Sequence, residues 1–562
     1  MPAAVELRAP SRESGASVRP ALSPRQELCC LGSAALAFGA VFLLLGVRYE
    51  VNDDALISCI AAGAYGGDRV RLCYVNILIG WALAPFYSLT QSINWYVVFS
   101  VAGLFVCAVE LARCAVRKLG TFPGLCLWWA GMLLLGVDAV HAFQYTKNAA
   151  LFTLTGWLVL THCAGQPRRG AALGGTLLVL AGACLRWQSF AVVTAMAAPL
   201  LALTLLRLPA GARKKPLALF AAVLALCLAA WGINEAVYRL DDGWNTWRAY
   251  NTARTEISDH RLQYITAEDA SGYGLTENDY SMLESWDYGD TALYPLEELQ
   301  ALAAALPHRT LRNAVRETLL TLPDWVFTTL PGWALTAALL AWLTGRQDRS
   351  TFAAGLATLA VFLAGAYALV YGGRTPWRTV YLLLAPCAVL LLAIWQPRAP
   401  AGRRLAAAAL AFCAAVSFAP LRQTWTGARQ FREDHRPGNA KEEAIRELIS
   451  DKEHTYVVST SLEDDLAGKD VWHTRPAGAF DHITFLGGWA SQSPLYAGPL
   501  RAADLDPAAP LVDAVDQPDV RYVDFCCVDD KLTALSQRGG RQVQAEEVSA
   551  CLWWTVYRLV QK

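Results

Sequence analysis

The stretch that decides the fold is the first apolar run, LCCLGSAALAFGAVFLLLGV, from Leu28 to Val47. It contains no charged residue, and its twenty residues are enough to cross the hydrocarbon core of a bilayer. Residues 1–27 carry four arginines among proline, serine and glycine, which predicts a disordered cytoplasmic tail. A cleaved signal peptide is the competing interpretation, but the run is too long for one and no clear cleavage site follows it.

The rest of the chain repeats this pattern. Ten further apolar runs bring the prediction to about eleven membrane spans. They lie at 95–112, 121–138, 149–165, 171–188, 190–207, 217–238, 323–344, 351–371, 378–396 and 403–420. The composition agrees, because 55% of the residues are hydrophobic and 17% are charged, against roughly a quarter in soluble domains. We therefore predict an α-helical polytopic membrane protein.

The charge balance bears on partners and on orientation. The 48 basic residues equal the 48 acidic ones, so no net positive field would attract nucleic acid. Lysines and arginines gather at alternate connections between spans, and all of these connections can face the cytoplasm at once. The N-terminus is then inside, while residues 48–94, 239–322 and 421–562 are outside.

The first outer loop, residues 48–94, holds two apolar segments that are too short to span a membrane. We interpret Ala55–Gly63 and Val75–Tyr87 as interfacial or re-entrant helices. An additional span here would invert the orientation of every later loop.

The two larger outer regions differ in their patterns. Within residues 239–322 the spacing predicts helices at Trp244–Ile257, Asp279–Ser285, Leu296–Leu306 and Thr310–Leu322. Residues 421–562 combine one predicted helix with four strands rich in β-branched and aromatic residues. These are Lys441–Ile449, then Thr455–Ser459, His482–Leu486, Val520–Phe525 and Cys551–Leu559. We therefore predict a C-terminal extracytoplasmic α/β domain. The sequence leaves open whether its cysteines, Cys526, Cys527 and Cys551, form disulfides.

Two adjacent carboxylates, Asp53 and Asp54, follow the first span within a few residues. Ionisable groups beside an apolar boundary are costly to desolvate without partners, so this pair indicates function. The structural alternative is a helix cap, in which Asn52 or Asp53 caps a helix that starts near Ala55. Both can hold, because a cap would also fix the geometry of the other carboxylate.

The acid pair, the two surface helices behind it, about eleven spans and an outer C-terminal domain together resemble the GT-C superfamily of membrane glycosyltransferases. Short stretches also look like uncharacterised bacterial membrane proteins of this type. They are Asn52-Asp53-Asp54, Gly63-Ala64-Tyr65, Val75 to Gly80, Ile93 to Tyr96, Phe143 to Lys147, and Glu277 to Tyr280 with Trp286. The resemblance implies a bacterial plasma-membrane enzyme. It would move a sugar from a polyprenyl phosphate to a cell-envelope glycan, lipid or protein on the outer face.

In GT-C enzymes an acid of the first outer loop commonly acts as general base or holds a metal ion. The resemblance therefore implies that Asp53 or Asp54 removes the proton of the acceptor hydroxyl, and we rank Asp53 first. The pair could instead share a divalent cation, Mg²⁺ or Mn²⁺. Because the Asp-Glu or Asp-x-Asp pattern of other members is absent, metal dependence stays open.

A phosphate leaving group requires cations where its charge grows. Candidates sit at the outer ends of predicted spans: Lys147 with Gln144 and Tyr145 beside it, Arg186, Arg374 and Arg378. Each of these cations could instead snorkel to lipid headgroups. Arg254 lies on a tryptophan-bearing helical face that could grip a phosphate or pack on the membrane. Asn52 and Tyr65 complete the predicted substrate-binding set by their place in the quoted motifs.

Two other functions compete with glycosyl transfer. A polysaccharide polymerase or ligase would depend on arginine and histidine in later loops rather than on the first-loop acids. A lipid-linked sugar flippase or transporter predicts polar residues near the bilayer midplane. Here the charges gather at span ends, which disfavours transport.

Overall fold

The computed structural model describes residues 21–164, 168–346, 348–398, 402–435 and 438–562. Most of the predicted tail, residues 1–20, lies outside this part of the chain. The first helix begins at Pro24, earlier than predicted, because Ser23 and Gln26 form a capping box. Ser23 Oγ accepts the Gln26 N–H at 3.3 Å and Gln26 Oε1 accepts the Ser23 N–H at 2.9 Å.

Helices and one short parallel strand pair make up the first part of the chain. They are α1 Pro24–Leu44, β1 Arg48–Tyr49, α2 Asp53–Ala62, α3 Ile77–Leu89, α4 Trp95–Leu119, α5 Thr121–Gly131, α6 Val137–His141, β2 Ala142–Phe143, α7 Tyr145–Cys163, α8 Arg169–Leu185, α9 Trp187–Arg207 and α10 Lys214–Arg239. The predicted short helices of the first outer loop are α2 and α3. β1 pairs with β2, so this loop is joined to the chain entering α7.

The second outer region and the last membrane helices follow. They are α11 Asp242–Arg254, α12 Glu277–Glu284, α13 Leu296–Ala305, α14 Leu311–Thr328, α15 Leu330–Thr344, α16 Arg349–Tyr371, α17 Trp377–Ile394 and α18 Arg403–Asp434. The predicted span 323–344 is divided between two helices instead of lying on one. α14 and α15 meet at an angle of 91°. Thr329 is extended and Pro331 opens the next helix, so the hydrogen-bond ladder cannot continue.

Each of the eleven predicted spans overlaps helices within the described residues. Eight of these helices are long and apolar enough to cross a membrane, and the bent pair makes a ninth. α8 is a shorter apolar helix, and in α7 all residues from Tyr145 to Leu160 are buried inside the bundle. The chain is therefore a multi-pass membrane protein whose central helix, α7, is surrounded by other helices rather than lipid.

The C-terminal region is the predicted α/β domain. Its elements are α19 Ala440–Ser450, β3 Thr455–Val458, α20 Glu463–Ala467, β4 Ile483–Phe485, α21 Pro494–Ala502, β5 Val520–Asp524, α22 Val528–Gln537, β6 Val543–Ala550 and β7 Thr555–Gln561. The sheet order is β4-β3-β5-β7-β6, with β3 parallel to both β4 and β5, and with β7 antiparallel to β5 and β6. The sequence analysis missed β6, a mostly exposed edge strand without apolar alternation.

The sheet domain docks directly on the first outer loop. Backbone N–H groups of Gly478 and Phe480 donate to the carbonyls of Gly63 and Ala64 at 2.9 and 2.7 Å. The ring of Tyr65 lies in this contact, 5.0 Å from the Phe480 ring and 5.7 Å from the Tyr496 ring. The loop that carries Asp53 is thus held between membrane helices and the C-terminal sheet domain.

Close packing of α7 against α8 gives a first prediction. A Cβ on Gly182 would lie 2.7 Å from the Ala149 carbonyl oxygen, whereas a Cβ on Gly174 of the same helix meets nothing within 4 Å. We expect Gly182→Ala to cost about 1–3 kcal/mol through overpacking. Gly174→Ala should be neutral or stabilising because alanine favours helix. Thermal unfolding of both variants in detergent measures the difference, and equal midpoints would contradict the packing.

A second prediction concerns the contact between α12 and the sheet domain. Arg538 Nε donates to Asp279 Oδ1 at 2.5 Å, and Asp279 also closes the capping box with Thr276. Burial alone would raise the pKa of Asp279, but the bonds from Arg538 and Thr276 outweigh it and the pKa is lowered. A lowered carboxyl pKa stabilises the fold above the unfolded pKa of about 3.9 and loses that contribution as pH falls through the folded pKa. Asp279→Asn should therefore lower the unfolding midpoint at pH 7, and the deficit should shrink below about pH 4; a deficit independent of pH would contradict the ion pair.

Candidate functional site

The two predicted acids point in different directions because they are consecutive residues at the start of α2. Asp54 is fully buried. Its Oδ1 accepts the Tyr96 hydroxyl at 2.7 Å, and both of its oxygens accept the Tyr145 backbone N–H, at 3.1 and 3.2 Å. Burial raises the pKa of Asp54 well above its usual range, while the Tyr96 hydrogen bond opposes the shift. Asp54 therefore ties α2 to α4 and α7.

Asp53 keeps part of its side chain accessible. The side chain is 15% exposed, and its Oδ2 lies 3.6 Å from Nη2 of Arg378 in the first turn of α17. Asn52 is the N-cap residue of α2 but makes no side-chain cap bond. The structural alternative of a side-chain cap by Asn52 is thus wrong, and Asp53 is the carboxylate that remains open to a ligand.

Tyr145 and Arg186 adjoin the acids. Gln144 caps α7 by accepting the backbone N–H groups of Thr146 and Lys147, which fixes Tyr145 at the first helical position. The Arg186 guanidinium donates to the Tyr145 hydroxyl and lies 5.0 Å from its ring centroid. Arg186 makes no ion pair with a carboxylate in the described residues, so its charge is available to an anion.

Lys147 has a different environment from the other predicted cations. It is fully buried, 2.6 Å from Glu50 Oε2 and 3.0 Å from Asp138 Oδ2. Asp138 Oδ2 also accepts the Trp377 indole N–H at 3.2 Å. Two carboxylates already balance the charge of Lys147. This arrangement favours a tether between the first loop, α7 and the start of α17, and a phosphate contact by Lys147 stays a prediction.

Arg254 is held rigidly at the end of α11. It is 2% exposed, donates to Asn251 Oδ1 at 3.0 Å and to the Tyr74 hydroxyl at 3.2 Å, and lies 4.6 Å from the Trp286 ring centroid. Asp259 Oδ2 is 3.8 Å from its Nη2. Its Nη1 is buried without a hydrogen-bond partner in the described residues. A buried guanidinium nitrogen without an acceptor favours an anionic ligand at this position.

Arg374 and Tyr74 connect Arg254 to the rest of the site. Arg374 pairs with Asp259, which also faces Arg254. Burial raises the pKa of Tyr74, Arg254 opposes the shift and Asp53 adds to it. The hydrogen bond from Arg254 to the Tyr74 hydroxyl therefore joins the end of α11 to the first loop.

The aromatic face of α11 packs within the protein rather than on the membrane. Trp244, Trp247 and Tyr250 are buried, and the Trp247 indole N–H donates to the Trp489 carbonyl at 2.9 Å. The membrane-surface alternative for this helix is thus wrong, because the sheet domain covers the stripe.

Two acids that the sequence analysis missed come from the sheet domain. Glu463 is 2% exposed and accepts the Tyr496 hydroxyl. Burial raises its pKa well above the usual range, Asp464 and Asp53 raise it further, and Arg254 lowers it. Burial also raises the pKa of Asp464, against a hydrogen bond from Asn52. The run of three acids after β3 could have indicated these residues in the sequence. Their position at the candidate site depends on the docking of the sheet domain on the first loop.

We call the group formed by Asp53, Tyr145, Arg186, Arg254 and Arg378 the outer cluster. Below it, a cavity of about 790 Å³ lies among the membrane helices, with mainly apolar walls such as Leu104, Leu134 and Leu151. One end reaches Tyr381, whose ring centroid is 5.5 Å from Lys147 Nζ, and the other end reaches Lys118, Arg207 and Arg346. The cavity therefore runs between the helices toward the neighbours of the cluster, and none of the five cluster residues lines it.

Comparison with known proteins adds little to this geometry. No protein-family model and no curated protein matches the chain. The chain is similar to crystal structures of ArnT from Cupriavidus metallidurans, in the apo state and bound to undecaprenyl phosphate, at 13% and 14% identity. Each alignment covers 94% of this chain and 97% of the other, with a TM-score of 0.42. At these values the likeness assigns neither activity nor substrate to this chain.

The predicted shared metal site does not fit the residues present. Both oxygens of Asp54 already accept N–H or O–H donors of α4 and α7, whereas Asp53 faces Arg378. No group of three or more His, Cys, Asp or Glu in the described part of the chain is placed to hold a metal ion.

Proposed function

We propose that the protein is a glycosyltransferase that moves a sugar from a polyprenyl phosphate to a cell-envelope acceptor on the outer face of the membrane. The observation that carries the proposal is the outer cluster, where one accessible carboxylate stands among three arginines. Arg186 and Arg378 lie at ends of membrane helices, and Arg254 ends α11. Asp53 contributes the carboxylate, and Arg378, Arg254 and Arg186 contribute the charges. This combination suits a reaction that needs a base and releases a phosphate.

The residues would divide the reaction between them. Asp53 accepts the proton of the acceptor hydroxyl while the acceptor oxygen bonds to the anomeric carbon. The bond between that carbon and the phosphate oxygen breaks, and the polyprenyl phosphate leaves with the electron pair. Arg254 and Arg186 meet the growing negative charge of the phosphate with charge-assisted hydrogen bonds. A single displacement of this kind inverts the anomeric centre.

Two further features support a donor delivered from the bilayer. The apolar cavity among the membrane helices, which reaches Tyr381 at one end, has a volume within the range of ligand pockets, about 300–1,000 Å³, and offers space to part of an isoprenoid chain. The deep burial of Arg254 and Asp54 limits water at the reacting atoms, which strengthens each electrostatic contact.

A transfer assay tests the proposal. Membranes containing the protein would receive a panel of polyprenyl phosphates, each carrying one radiolabelled sugar. We expect label from at least one donor to move from the lipid fraction to an envelope acceptor, and matched membranes without the protein to leave it in the lipid. Label that stays in the lipid for every donor, with folded protein present, would contradict the proposal.

A further inference from the structure

The turn that follows β5 carries two cysteines that no step above uses. Cys526 is exposed, Cys527 is partly exposed, and their sulfurs are 3.0 Å apart. A disulfide is about 2.05 Å long, so the sulfurs need to approach by only about 1 Å. Two thiols in contact at an accessible turn are a candidate site for oxidation.

Asp524 holds this turn in shape. Its Oδ1 accepts the backbone N–H groups of both Cys526 and Cys527 at 3.2 Å, and its Oδ2 lies 3.3 Å from buried Lys531. Two amides bound to one oxygen fold the dipeptide tightly, which brings the side chains to the same side. The neighbouring Phe525 is 59% exposed, so the turn is open to reagents.

The chain contains the same dipeptide in a second setting. Cys29 and Cys30 lie within α1, where successive side chains point about 100° apart. Cys29 is exposed, but Cys30 is fully buried. The two dipeptides therefore have identical residues, and only their backbone geometry and exposure differ.

We propose that Cys526 and Cys527 form a reversible vicinal disulfide by exchange with small-molecule disulfides. Cys526 is the more exposed of the two, and the hydrogen bond with the Cys526 sulfur, followed by burial, raises the pKa of the Cys527 thiol to about 12. Cys526 is therefore the sulfur that attacks, and it forms a mixed disulfide while the first thiol of the reagent leaves. Cys527 then attacks Cys526, loses its proton and releases the second thiol. Two electrons and two protons pass from the dithiol to the reagent.

The ring that forms is strained, which makes it reversible. Adjacent α-carbons are about 3.8 Å apart, less than the roughly 4.4–6.8 Å of ordinary disulfides. Strained disulfides have higher reduction potentials and belong to the labile class. The predicted outer location of this domain favours the oxidised form, because disulfides persist outside the cytoplasm.

The experiment compares the oxidation of the two cysteine dipeptides in the same protein. Purified full-length protein is reduced, treated with hydroxyethyl disulfide, blocked with N-ethylmaleimide and digested with trypsin without reductant. Cleavage places the first pair in the peptide Tyr522–Lys531 and the second in Gln26–Arg48, with no other cysteine in either. We expect the peptide Tyr522–Lys531 to carry no maleimide and to be lighter by two hydrogens than its dithiol form. The peptide Gln26–Arg48 should not lose two hydrogens. Dithiothreitol should restore the dithiol.

Two outcomes would overturn the proposal. One is a Tyr522–Lys531 peptide that carries two maleimide groups, or one maleimide and one mixed disulfide. The other is equal closure of both dipeptides, which would mean that the turn confers nothing. The variants C527S and C526S test the order of attack: C527S should trap the mixed disulfide at Cys526 faster than C526S traps it at Cys527, and the reverse order would contradict the assigned roles.

Discussion

Replacement of Asp53 by asparagine should abolish most glycosyl transfer while leaving the protein folded. Asparagine keeps the size of the side chain but cannot accept the acceptor's proton. The loss of a positioned general base typically costs about 10²–10⁴-fold in rate. Because Asp53 is partly exposed and its only described ion pair, with Arg378, is long at 3.6 Å, unfolding should change little. Initial rates of label transfer and thermal unfolding would be measured on the same preparation.

Asp54→Asn is the matched control, one residue away in the same helix. Its amide oxygen can keep the bonds from Tyr96 and the Tyr145 N–H, but its amide nitrogen replaces Oδ2, so the buried Tyr145 N–H loses one of two acceptors and faces a donor. A buried hydrogen bond weakened in this way costs up to about 1–3 kcal/mol. We therefore expect Asp54→Asn to lower the unfolding midpoint and to keep more activity per folded molecule than Asp53→Asn. Full activity in Asp53→Asn, or equal loss in both variants, would contradict Asp53 as the base.

Replacement of Arg254 by lysine should lower kcat/KM for the polyprenyl-phosphate donor by about 10²–10³-fold, the usual cost of one stabilising donor at a developing charge. A lysine keeps the positive charge but cannot place a second nitrogen where Nη1 now lies, or stack in the same way on Trp286. Kinetics with varied donor concentration measure the effect.

The matched control is Arg248→Lys in the same helix. Arg248 pairs with Glu235 and lies 5.4 Å from the Tyr238 ring centroid, away from the outer cluster. Both side chains are partly exposed, and lysine keeps the charge that pairs with Glu235, so the fold should change little. The kcat/KM of Arg248→Lys for the donor should match that of the unmodified protein. An equal loss of kcat/KM in Arg248→Lys and Arg254→Lys would mean that α11 acts through stability alone.

The membrane architecture could be predicted because apolar runs of about twenty residues have few other uses. The predictions that failed concern single helices and strands. The extended Thr329 followed by Pro331 breaks one predicted span, and the hydropathy of α14 does not reveal it. Strand β6 was not predicted, because an edge strand needs little apolar alternation once β7 supplies its hydrogen bonds.

Much of the candidate site was also within reach of the sequence. Asp53 was chosen from the acid pair after the first span, Arg254 from a tryptophan-bearing helical face, and Tyr145 and Arg186 from the ends of predicted spans. In the folded chain Tyr145 contacts Arg186 and Arg254 contacts the Tyr74 hydroxyl of the first loop, and their roles remain a prediction. The direction of each side chain was not predictable, because adjacent Asp53 and Asp54 differ only by a rotation along α2. Glu463 was missed because its position depends on docking between segments about four hundred residues apart.

The central claim is that the outer cluster meets the phosphate of a lipid carrier. Photolabelling tests it most directly, using a polyprenyl phosphate with a photoreactive group beside the phosphate. We predict label on the tryptic peptides Tyr49–Arg69 and Ala249–Arg254, competed by unlabelled carrier and reduced in Arg254→Lys. Label confined to the opposite helix ends, around residues 113–121 and 207–215, would contradict the account.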